Sequence, residues 1–187
     1  MVKQEQWDVE MSHSRTIQAP PALVWRSLFE VRGTDLPVAG AFLQIRDFPG
    51  RLAGRVPAAP RSRTLFERAE DSAFGILSKD EDRLVEMARI ARFWEPVPTN
   101  GPVVADRAEF DAFRGPGFAK TLISFELTPL GVGTRVVTTT RVATTDSTAR
   151  RRFLVYWYLI GRFAGVLRTA MLAAMERRAL ALASGAA

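Results

Sequence analysis

The chain predicts an α+β fold in which a curved antiparallel sheet meets one long terminal helix. Two observations predict it. From Asp146 to Ala183 an apolar stripe recurs at steps of three and four (Phe153, Trp157, Ile160, Ala164, Leu167, Met171, Met175), with Arg151, Arg162 and Thr169 opposite. Upstream, several short stretches rich in β-formers are separated by Gly and Pro, which is how antiparallel strands read. A helix of that length spans about 55 Å. It is too long for a hairpin partner in a small bundle and suits the mouth of a sheet, an arrangement that makes a container.

The elements follow in order. Trp7, Val9, Met11, His13, Arg15 and Ile17 alternate with Asp8, Glu10, Ser12, Ser14 and Thr16, a strand with one polar face. Ala19-Pro20-Pro21-Ala22 breaks it, and proline at the first helical positions opens a short helix through Leu23, Trp25, Leu28 and Phe29. A second short helix is expected from about Leu36 to Phe48, closed by Pro49-Gly50. Residues 50–63 form a loop rich in Arg, Pro, Gly and Ala, of the kind that covers an opening. Strands are expected over Thr64–Ala69, Ala73–Lys79 and Arg83–Trp94, the last two joined by Lys79-Asp80-Glu81-Asp82. Asp106–Phe113 reads as a short helix stopped by Gly115-Pro116-Gly117. Phe118–Thr128 and Thr134–Thr145 are two long strands. Asp146 then caps the terminal helix, its carboxylate accepting from free N–H groups of the first turn.

At 187 residues the chain fits a single domain over 1–187, and 47% apolar content supplies a core. The net charge is +6, and only Lys3, Lys79 and Lys120 are lysines among 26 basic residues. Arginine and alanine usage of this kind reflects a GC-rich genome more than nucleic-acid binding, and no nucleic-acid partner is expected. Arg150-Arg151-Arg152, with Arg162, Arg168, Arg177 and Arg178, raises a third expectation, transient contact with an anionic membrane surface. No cysteine is present, so disulfides and thiolate chemistry are excluded. One histidine leaves no zinc cluster, and no Gly-rich nucleotide loop occurs, so no metal and no cofactor is expected. Met1–Glu10 is polar with no secretory pattern, which makes the cytoplasm the expected location. Phe153–Met175 is apolar, but Arg162 and Arg168 interrupt it, so it reads as a soluble helix with one buried face.

Ile17-Gln18-Ala19-Pro20-Pro21-Ala22-Leu23-Val24-Trp25 resembles the strand-to-helix entry I-x-A-P-x-x-V-W of the START-like superfamily, also called SRPBCC. Phe125-Glu126-Leu127-Thr128-Pro129 through Gly133-Thr134-Arg135-Val136 resembles its penultimate hairpin. The resemblance covers nearly the whole chain. It implies the helix-grip fold, in which the sheet wraps the terminal helix around a cavity. Polyketide cyclases, the birch-pollen-allergen family and lipid-transfer domains share that fold, so it does not by itself name a ligand.

Given such a cavity, the alternation sorts residues. Met11, His13 and Arg15 would face in with Trp7 and Val9; so would Val85, Met87, Ala91 and Phe93 with Arg89. On the long strands the inward sets are Ala119, Thr121, Ile123, Phe125 and Leu127, then Val136, Thr138, Thr140 and Val142. Phe153, Trp157, Ile160 and Ala164 complete the wall, while Tyr156 and Tyr158 fall off the stripe. His13, the only histidine, is a candidate general base or simply a rim residue. Arg15 could hold a carboxylate through two parallel hydrogen bonds or reach out to solvent. Gly161 and Gly165 give the helix a smooth side.

Two function classes compete. One is a non-catalytic carrier or sensor of a small apolar molecule such as a lipid, isoprenoid or polyketide. The other is a cyclase or dehydratase, with His13 as base and Arg15 or a threonine hydroxyl as carbonyl partner.

Overall fold

The computed structural model describes residues 6–36, 62–71 and 73–185. The elements are β1 (Val9–Ile17), α1 (Pro21–Glu30), a 3-10 turn (Gly33–Asp35), α2 (Leu65–Asp71), β2 (Gly75–Asp80), β3 (Leu84–Arg92), β4 (Thr99–Asn100), α3 (Arg107–Ala112), β5 (Ala119–Leu130), β6 (Gly133–Thr144) and α4 (Ser147–Gly185). All strands pair antiparallel in one sheet of order β1-β6-β5-β3-β2, with the two-residue β4 on β3. The sheet curves around α4. This is the helix-grip arrangement.

Local chemistry explains the elements. Pro21 opens α1 at a position whose N–H would be unpaired anyway. β5 and β6 run in register from Ala119–Thr144 to Leu130–Gly133. The turn between them is only Gly131-Val132, and Gly131 has φ +60°, a conformation that costs glycine nothing. The Asp146 carboxylate accepts from Ala149 N at 2.8 Å, capping α4, and from Gly117 N at 2.5 Å. These backbone hydrogen bonds hold its carboxyl below the usual carboxylate range.

Two expectations change. Thr64–Ala69 is not a strand: Thr64 starts α2 with a capping box. Thr64 N donates to Glu67 Oε2 at 2.7 Å and Glu67 N donates to Thr64 Oγ1 at 3.2 Å. The hydrogen bonds from Thr64 also lower the Glu67 carboxyl pKa. Trp7 precedes β1 and packs on the convex face with Leu77, Phe113 and Phe118 against the cluster around Phe110 and Leu122. The helix expected over 36–48 lies, apart from its first residue, outside the described residues. So do residues 50–61 of the loop expected over 50–63.

The concave face holds two separate clusters. One joins α1, α2 and the C-terminal half of α4 to the sheet through Trp25, Leu28, Phe66, Phe125, Met171 and Met175. The other joins the N-terminal part of α4 to the sheet through Phe93, Ala119, Val142 and Phe153. The space between them is the site.

Candidate functional site

Between β3, β5, α2 and α4 lies a cavity of about 440 Å³. Leu65, Phe66 and Ala69 of α2 form one wall, Met87, Ile123 and Phe125 the floor, and Leu167, Arg168 and Met171 of α4 the roof. A smaller lobe of about 150 Å³ continues toward the start of α4, between Phe93, Thr121, Thr140, Phe153, Trp157, Ile160 and Ala164. The two lobes share Ile123, Leu167 and Arg168. Inward pleat positions of β3, β5 and β6 supply the floor because side chains alternate across a sheet. The 3.6-residue period of α4 supplies the roof.

Of the residues expected at the site, Met87, Ile123 and Phe125 border the larger lobe. Phe93, Ile123, Thr140, Phe153, Trp157, Ile160 and Ala164 border the smaller one. Phe153 stacks on Trp157 with centroids 5.8 Å apart. Met11, His13, Arg15 and Thr138 border neither lobe. Arg15 instead donates through Nε to Glu176 of α4 at 2.8 Å. His13 packs under α4, where a methyl at Gly165 would sit 3.4 Å from its Nε2 and 3.9 Å from Met11 Sδ. The smooth side of the helix at Gly165 is therefore turned to β1. His13 Nδ1, Thr138 Oγ1 and Thr140 Oγ1 are buried with no hydrogen-bond partner among the described residues.

Sequence reasoning missed three contributors. Tyr156 borders the smaller lobe beside Phe153, whose centroid is 6.1 Å away. It lies three residues after Phe153, at the edge of the stripe rather than off it. The α2 wall was hidden by reading α2 as a strand. Arg168, grouped with the surface arginines, faces inward, and its guanidinium lies 5.8 Å from the Phe125 ring centroid. Burial pushes its pKa down to about 10, so it stays charged at neutral pH.

Other members of that basic set are also engaged. Arg177 donates to the Asp35 carbonyl at 3.1 Å, Arg178 to the Asp35 carboxylate at 2.8 Å, and Arg150 pairs with Asp8 at 2.8 Å. Arg151, Arg152 and Arg162 are exposed. They lie along an outer face of α4 on which Val155, Tyr158, Leu159, Phe163 and Val166 are also exposed. By length and composition α4 could cross a membrane. Among the described residues no group of acidic residues and histidine is arranged to hold a metal ion.

No family model matches the chain, and no curated protein matches it. Among solved structures it is similar to the Mll3558 protein from Rhizobium loti, at 16% identity over 91% of this chain and 96% of that one, with a TM-score of 0.40. It is also similar to TTHA0849 from Thermus thermophilus, at 15% identity over 93% and 99%, TM-score 0.31. A third is CalU16 from Micromonospora echinospora, at 14% identity over 94% and 86%, TM-score 0.29. The helix-grip assignment rests on the strand order and helix placement of this chain itself.

Proposed function

We propose that this helix-grip domain binds one small apolar molecule between its sheet and α4, as a carrier or sensor. The cavity of about 440 Å³ carries the reading. Its size falls within the roughly 300–1,000 Å³ of small-molecule sites, and its walls are mostly apolar with few polar groups. The placement of His13 supports a carrier over a cyclase, because the residue cast as base does not border the space a substrate would fill. The test is titration with the neutral dye N-phenylnaphthylamine. The expected result is saturable one-to-one binding with a blue-shifted emission. Fluorescence that never saturates, or does not rise, contradicts the reading.

A second reading is favoured by the outer face of α4. Tyr158 is 83% and Leu159 63% exposed, amid exposed arginines. No acidic residue occurs from Ser147 to Met175. A helix with apolar and basic residues on its free face suits the surface of an anionic bilayer, while its other face stays on the sheet. Co-sedimentation should require phosphatidylserine in the vesicles and weaken with salt. Equal binding to neutral vesicles, or none to either, would overturn it.

A further inference from the structure

Among the described residues most half-buried cations are satisfied by partners; Arg68 and Arg168, which both border the larger lobe, are not. Arg15 has Glu176, Arg178 has Asp35, and Arg89 donates to Asn100 Oδ1 at 3.0 and 2.7 Å. Even Lys120, 2% exposed, has the Phe110 ring and the Asp111 carbonyl. Arg168 has the face of Phe125 and, among the described residues, no carboxylate and no hydrogen-bond acceptor. A π face attracts the cation but accepts none of the five N–H donors of a guanidinium in line. An unpaired cation inside a protein is a cost, so its position needs an explanation.

Its place supplies one. Arg168 borders both lobes, at the seam where they meet. Thr140 shares the smaller lobe with it, 6% exposed and with its hydroxyl unpartnered among the described residues. Arg68 and Arg89 also border the larger lobe, against one acid there, Asp71, which already pairs with Arg63. The described lining is therefore mostly apolar and net positive, with the Arg168 donor fork unpaired among the described residues.

We propose that Arg168 receives the oxyanion head of an otherwise apolar ligand, a carboxylate by preference, with the Thr140 hydroxyl as an additional donor. This rests on the binding reading above and specifies the ligand class. A planar carboxylate meets the guanidinium fork with two parallel hydrogen bonds, and it supplies the charge that Arg168 lacks among the described residues. The apolar body then lies against Ile123, Phe125 and Met87 in the larger lobe.

The experiment is displacement of bound N-phenylnaphthylamine by dodecanoate and by dodecanol, in the native protein, in Arg168→Met and in Arg168→Lys. The native protein should prefer dodecanoate roughly 10- to 100-fold, as hydrogen bonds to a charged group imply. Arg168→Met should lose that preference, acid and alcohol being compared in the same variant against its own dye affinity. Arg168→Lys, which keeps the charge without the fork, should retain part of it; this variant still decides the matter should Arg168→Met fail to fold. Equal binding of acid and alcohol by the native protein overturns the proposal, as does a preference that survives in Arg168→Met. Failure of the dye to bind the native protein overturns the binding reading instead, and this proposal with it.

Discussion

Leu167→Glu should abolish uptake of a neutral apolar molecule. Leu167 borders both lobes, beside Ile123 and Arg168, so its replacement reaches the whole space. Glutamate is as good a helix former as leucine, and Leu167 is only partly buried, so α4 should persist. A carboxylate there either draws water into the cavity or pairs with Arg168 as an internal occupant. Both outcomes oppose an apolar guest, by about 3 kcal/mol or about 100-fold in affinity. The readout is dye titration with circular dichroism as the check on the helix. The matched control is Leu159→Glu, the same substitution on the outer face, where Leu159 is 63% exposed. Its dye affinity should equal that of the native protein. Equal losses in both variants would mean that the dye does not sit between the sheet and α4.

Phe125→Ala should give the largest loss of stability. Phe125 is 1% exposed on β5, which is paired on both sides by β3 and β6. Its ring lies 6.4 Å from that of Phe66 and under Arg168. A strand held on both edges cannot move in to fill the space, so truncation enlarges the cavity already there. Buried Phe→Ala changes cost about 3–5 kcal/mol. For a chain of 187 residues that lowers Tm by roughly 6–20 °C. Val132→Ala, at an exposed hairpin turn, should leave Tm unchanged. A loss below about 1 kcal/mol in Phe125→Ala would show that the ring is not part of a packed core.

The fold was legible where one periodicity served one buried face. β1 alternates because only its concave side is covered, and the stripe of α4 repeats because it lies on that sheet. The Asp146 cap and the Pro21 helix start were also legible, since each depends on a local hydrogen bond or dihedral. α2 was misread because Leu65-Phe66 is too short a run to show a period, although Thr64-Leu65-Phe66-Glu67 carries the capping-box spacing. The pairing of Arg15 with Glu176 spans 161 residues and no local pattern announces it. Arg168 was hidden by its charge. Its spacing, four residues after Ala164 and three before Met171, puts it on the inner stripe, and periodicity taken without regard to residue type would have placed it in the site.

Where a neutral apolar molecule sits is the central question, and methyl NMR of the protein titrated with N-phenylnaphthylamine answers it directly. Saturable shifts at Met87, Ile123, Leu167 and Met171, with Val155, Leu159 and Val166 unmoved, are the expected result. Shifts confined to Val155, Leu159 and Val166 would place the molecule on the outer face of α4 and contradict a grip-bound ligand.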